Sequence, residues 1–182
     1  FWQVAFMVGT GFTAKAFVAA GATAVQGGLA VTVYNLCQLI GQQIWGPMSD
    51  RMERKTVITI AAVFWAFFTA AFVLLYGSSL TTMYIMVGLM GVGMGMVPVI
   101  LATFSDYYPT EVRGTGAGTI STLGLVGRFF GPMVAGFVAD SVGSLGGAFG
   151  FGAACMFIAA IIAFTLPNLK TAPAPSLNRA AK

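Results

Sequence analysis

Polar and apolar positions divide the chain into six long apolar runs with short polar breaks between them. The runs cover residues 1–22, 28–46, 56–76, 80–104, 114–139 and 148–166. Each is close to the ~20 mostly apolar residues that a helix needs to cross a hydrocarbon core roughly 30 Å thick. None alternates with period two, which argues against a transmembrane β-barrel. The pattern predicts an all-α membrane protein with six transmembrane helices in one domain, residues 1–166. Residues 167–182, rich in Pro, Ala and Ser, predict a disordered tail.

Composition narrows the chemistry. Hydrophobic residues make up 58% of the chain and charged residues only 8%, against about 25% charged in a soluble domain. With no histidine, a Ser-His-Asp triad and a His-ligated metal are both excluded. The two cysteines, Cys37 and Cys155, lie in apolar stretches and suggest neither a disulfide framework nor a Cys-rich metal site. No catalytic residue, metal, cofactor or nucleic-acid partner is expected, and the protein is not expected to be an enzyme. Phe1 already lies in an apolar run with no signal-peptide layout before it, so the sequence reads as a fragment without its upstream part.

Charge placement sets the orientation. Loop 47–55 holds Arg51, Arg54 and Lys55, loop 105–113 holds Arg113, and the tail holds Lys170, Arg179 and Lys182. With six spans these segments share one side. The opposite loops, near Val25, Gly77 and Ser141, hold no Lys or Arg. The positive-inside rule makes the basic side, tail included, cytoplasmic. The cell (inner) membrane is the expected location.

The second run ends in Gly46-Pro47-Met48-Ser49-Asp50 and the fifth in Gly136-Phe137-Val138-Ala139-Asp140. Both leave the bilayer with Gly-x-x-x-Asp, on opposite sides. This predicts two three-helix units of inverted topology, as in secondary transporters. Gly46 to Lys55 resembles the Gly-x-x-x-Asp-Arg-x-Gly-Arg-Arg/Lys loop of the major facilitator superfamily, with Glu53 where that pattern has Gly. Asp106-Tyr107-Tyr108-Pro109-Thr110-Glu111-Val112-Arg113-Gly114-Thr115-Gly116 is similar to the superfamily's Glu-x-Phe-Pro-Thr-x-x-Arg-Gly-Thr-Gly loop, in the version of the sugar and organic-acid symporter branches.

The resemblance implies the C-terminal six-helix half of a twelve-helix transporter, partnered by an N-terminal half. It implies that the first, second, fourth and fifth helices border a central cavity, while the third and sixth face lipid. Gly46, Asp50, Arg51, Arg54, Lys55, Asp106, Glu111 and Arg113 become elements of a cytoplasmic gate. Asp50 would be a latch accepting hydrogen bonds from backbone N–H groups or an arginine of the other half. Glu111 and Arg113 would pair with Arg51 or Arg54. The alternative is an ordinary loop that sets topology.

Two cations belong to no loop. Arg128 is 14 residues past Gly114 and 11 before Ala139, roughly 21 Å and 16 Å along a helix. An arginine at mid-bilayer costs about 2.5 kcal/mol or more, so such residues mark substrate or ion paths. The bland alternative is an ion pair with the other half. In the organic-acid branch an arginine falls at the position of Leu125, one turn earlier. Lys15, about 21 Å from the start of its run, is expected at similar depth, with snorkelling to the surface as its alternative. Asn35, Gln38 and Gln42 fall at i, i+3 and i+7, one helical stripe flanked by Thr32 and Tyr34. They would orient a polar substrate or join helices.

Two deep cations and no deep carboxylate favour a small organic anion, gripped by Arg128, assisted by Lys15 and oriented by the amide stripe. A proton is the expected co-substrate, with its carrier in the other half. The alternatives are a sugar or other neutral solute, an anion exchanger, and a self-assembling channel or scaffold. Gly88, Gly91, Gly93 and Gly95 predict close helix packing, and Pro98 predicts a kink or hinge in the fourth run.

Overall fold

A computed structural model of the chain describes residues 1–106, 108 and 111–165. The expected tail, 167–182, lies outside the described residues, as do motif positions 107, 109 and 110. Seven α-helices make up the described fold: α1 (Trp2–Ala19), α2 (Ala24–Arg51), α3 (Arg54–Leu74), α4 (Leu80–Met94), α5 (Val97–Asp106), α6 (Arg113–Val142) and α7 (Gly146–Thr165). Helices α4 and α5 are two parts of one 27-residue apolar stretch, Leu80–Asp106.

That stretch, α3, α6 and α7 are each long and apolar enough to cross a membrane. Helices α1 and α2 are more polar because they carry Lys15 and the stripe Thr32, Asn35, Gln38, Gln42 and Gln43. In chain order α1 to α3 make one three-helix unit and α4 to α7 the second, with α3 packed chiefly against α7 and α4 of the second unit. Tyr76, just beyond α3, donates to the carbonyl of Ala16 near the end of α1, so α1 and α3 finish at the same end. The second unit starts at that end, and the two units run in opposite directions.

Local chemistry sets the helix ends. Thr23 and Gln26 form a reciprocal capping box that starts α2, and the Ser79 hydroxyl accepts from the N–H of Thr82 to start α4. Helix α6 ends at Gly143, whose φ of 68° is left-handed; Ser144 N–H then bonds back to the Ala139 carbonyl. Loop 47–55 is shorter than the apolar pattern predicts. Residues Pro47 to Arg51 continue α2, and only Met52 and Glu53 join it to α3. Polarity marked the membrane boundary there, but backbone hydrogen bonding ends the helix, and Pro47 removes only one N–H from it.

Close backbone contacts hold α2 to α4. A Cβ at Gly41 would run into the Val92 carbonyl, one at Gly91 into the Tyr34 carbonyl, and one at Gly95 into the Gly41 backbone. Small residues let helices approach this way in lipid, where packing drives association. The same region contains the break between α4 and α5 at Gly95–Met96. Pro98 has no N–H for the Met94 carbonyl four residues earlier. Gly95 N–H turns inward to Val92 O at 3.1 Å, a 3₁₀-type bond. Trp45 Nε1 on α2 donates to the same carbonyl at 2.7 Å. The indole thus ties the break to α2. Trp45→Phe is expected to destabilise the protein by about 1 kcal/mol, the scale of such bonds in membranes, as read by denaturant unfolding in detergent.

The core lies between α1, α2, α3, α4 and α7 around Tyr34, Trp65, Met90 and Phe149, all almost fully buried. Trp65 Nε1 donates to the Tyr34 hydroxyl at 3.3 Å, and the Phe72 and Phe149 rings sit 4.9 Å apart.

Candidate functional site

Helix α6 carries a stripe of small residues toward α1. A Cβ at Gly131 would lie 3.1 Å from Val4 Cα, one at Gly127 would lie 3.4 Å from Val4 Cγ2, and one at Gly124 would lie 3.4 Å from Gln3 Cγ. Ala135 and Ala139 extend the stripe as buried positions. The seam fixes the register: Val4, near the start of α1, packs 18 residues into α6 at Gly131.

Arg128 sits on this seam. It is half-buried, with its guanidinium carbon 5.2 Å from the centre of the Phe6 ring, within cation–π range. Its Nε is buried without a hydrogen-bond acceptor. Along α6 the residue is 14 positions, roughly 21 Å, from the helix end at Val142. No acid forms an ion pair with it among the described residues.

Lys15 is not at the same depth. It is exposed, with its ammonium 5.6 Å from the Phe12 ring centre. It lies four residues from the end of α1 at Ala19, about 6 Å, and nine residues beyond Phe6, about 13 Å. A depth reckoned from Phe1 requires that residue to lie at a membrane surface. The seam places Val4 against the middle of α6 instead, so Lys15 and Arg128 are not brought together.

On α2, Asn35 is exposed while Gln38 and Gln42 are half-buried. Asn35 Nδ2 donates to the Val31 carbonyl of its own turn at 2.9 Å. Gln42 lies beside the α4–α5 break, its N–H within 2.6 Å of where a Cβ on Gly95 would be. A separate cleft of about 200 Å³ opens between α1, α3, α5 and α7. Trp2, Ile58, Met96, Ile100, Phe104 and Ile162 line it almost entirely with carbon, so it offers no grip for a charged group.

The basic end is held differently from the expected pairing. Arg54 forms an ion pair and hydrogen bond with Asp106, joining the start of α3 to the end of α5. Glu111, Arg113, Asp50 and Arg51 are exposed, and Asp50 makes no side-chain hydrogen bond to a described residue. Lys55 is half-buried beside them. Gly46 is open, with nothing within 4 Å of a Cβ there. Gly116 is the reverse: the Tyr108 ring lies 2.5 Å from where its Cβ would be. Because the Arg54 and Asp106 side chains are 34% and 43% exposed, Arg54→Gln is expected to change unfolding stability by less than about 1 kcal/mol in denaturant titration.

The comparisons agree with this architecture. Residues 2–182 match the Major Facilitator Superfamily. The chain belongs to that family. Members of the superfamily are membrane transporters and not enzymes, and this chain is an integral membrane protein. "Multidrug resistance protein MdtG" of Proteus mirabilis (strain HI4320) is 32% identical over 136 residues, covering 74% of this chain and 33% of that protein. The protein of the same name from Rahnella sp. (strain Y9602) is 31% identical over 117 residues, 64% of this chain and 28% of its own. That from Salmonella typhi is 30% identical over 139 residues, 75% and 33%. The chain spans about a third of the length of these relatives.

In this facilitator-superfamily chain, Gln3 and Phe6 lie on the α1–α6 seam near Arg128, and no motif marks either. Gln3 is an amide in an otherwise apolar start of α1, a signal of the same kind as Asn35. Phe6 carries no sequence signal, because only the tertiary seam brings its ring to Arg128.

Proposed function

We propose that this chain forms half of the solute path of a secondary transporter that carries small organic anions. Transport would proceed by rocking of two six-helix bundles about a midplane site, the second bundle being supplied by an N-terminal half. The observation that carries the reading is Arg128: a guanidinium deep on the α1–α6 seam whose Nε has no acceptor. An arginine in that setting is costly unless it faces a cavity and meets a partner, and a carboxylate matches its fork with two parallel hydrogen bonds. Asn35, Gln38 and Gln42 would orient the substrate from α2. Lys15 would draw anions toward the path from nearer its opposite end. The basic end, with Asp50, Arg51, Arg54, Lys55, Asp106, Glu111 and Arg113, would be cytoplasmic in an inner membrane and would form the gate. A proton is the co-substrate in this reading.

A second reading has its own support. The relatives are named multidrug resistance proteins, which favours export of varied organic compounds, with Arg128 paired to an acid of the other half. Vesicles containing the full-length protein separate the two, using labelled propionate, benzoate, a neutral sugar and a cationic dye. Uptake of an acid, competed by other carboxylates and driven by a pH gradient, supports the anion reading. Transport of the dye alone supports the second.

A further inference from the structure

Two buried side-chain atoms without hydrogen-bond partners stand out among the described residues: Arg128 Nε and Gln3 Oε1. One is a donor and the other an acceptor, and both belong to the α1–α6 seam. Gln3 Cβ lies 3.7 Å from where a Cβ on Gly127 would be, and Arg128 is the next residue. Phe6, which carries the Arg128 guanidinium on its ring, follows Gln3 by one turn of α1. Buried polar groups are normally satisfied, and an orphaned one calls for an explanation. The Gln3 amide lies against Gly124, its Nε2 3.5 Å from where a Cβ there would be, one turn of α6 before Arg128, yet no hydrogen bond joins the two side chains.

A single ligand answers both if it presents an acceptor to Arg128 and a donor to Gln3. Arginine Nε and one Nη together form the side-on fork for a carboxylate. The donor beside it is then a hydroxyl, amine or amide N–H on the same molecule. We infer that Gln3 is a specificity residue of the Arg128 site, which selects carboxylates bearing a neighbouring hydrogen-bond donor over those without one. This rests on the anion reading above and adds a substrate class to it. Phe6 serves as a positioning residue, because its ring covers one face of the guanidinium and leaves the edge for the ligand.

The test compares matched probes in vesicles of the full-length protein: lactate against propionate, and 2-hydroxybenzoate against benzoate. The native protein is expected to take up the hydroxylated member of each pair about tenfold better, the effect of one well-made hydrogen bond. In Gln3→Met, of similar length but without the acceptor, the ratio should fall to about one. The ratio is read within one preparation, so a lower yield of folded variant cancels. Arg128→Gln is run alongside. A native ratio near one, or a ratio unchanged in Gln3→Met, overturns the role of Gln3. If Arg128→Gln still abolishes uptake in that case, the anion site itself survives. If no carboxylate is taken up or competes, both inferences fall.

Discussion

Arg128→Gln is expected to cut carboxylate uptake about 100-fold, with the amount of folded protein in the membrane near native. Truncating one partner of a desolvated, hydrogen-bonded charge pair costs about 2–5 kcal/mol, and 100-fold corresponds to roughly 2.7 kcal/mol. Within this chain the charge is held only by the Phe6 ring: Arg128 forms no ion pair with a described acid, and its Nε is unsatisfied. Burying an arginine at mid-bilayer costs about 2.5–3.5 kcal/mol, so glutamine there is expected to preserve or raise stability. Arg128→Lys should fall between, losing about tenfold, because a lysine keeps the charge but not the fork. Uptake kinetics and unfolding curves on the same preparations check both halves of this result. Native uptake in Arg128→Gln would show the residue to be structural.

The second large effect concerns α2 and α4, where two glycines on one helix are predicted to respond with opposite signs. Gly41→Ala should destabilise the protein by about 1–3 kcal/mol, the usual cost of overpacking a tight core. Its Cβ would meet the Val92 carbonyl, and a backbone group cannot rotate aside as a side-chain end does. The neighbouring Gly95 contact and the Trp45 bond to Val92 would be strained together. Gly28→Ala, also on α2, has nothing within 4 Å of the new Cβ and should gain up to about 1 kcal/mol from helix propensity. Thermal unfolding in detergent reads both. Equal shifts of the same sign would mean that α2 and α4 are not in contact as described.

The helical runs and the break in the fourth were legible in the sequence, because apolar length and Pro98 are local signals. The ends of α2 were less so, since Thr23 caps it before the apolar run and Pro47 to Arg51 stay helical although polar. Site residues followed the same division. The chemical identity of Arg128 announces it in any apolar run, but its neighbours depend on the α1–α6 register. That register, set by Val4 against Gly131, puts Phe6 and Gln3 beside α6 at the level of Arg128 and leaves Lys15 about 13 Å beyond Phe6 along α1. Likewise the Arg54–Asp106 pair joins residues far apart in sequence, where motif reading offered Glu111 and Arg113.

In the proposed transporter α1, α2, the α4–α5 stretch and α6 border the solute path, while α3 and α7 face lipid. Cysteine labelling tests this arrangement most directly, in full-length protein with Cys37 and Cys155 replaced by alanine. Asn35→Cys on α2 and Phe67→Cys on α3 are both exposed in this chain, so accessibility within it does not distinguish them. A membrane-impermeant thiol reagent is predicted to label position 35 and to be slowed there by a transported carboxylate, while position 67, facing lipid, stays unlabelled. Labelling at 67 with none at 35 would place α3, not α2, on the solute path.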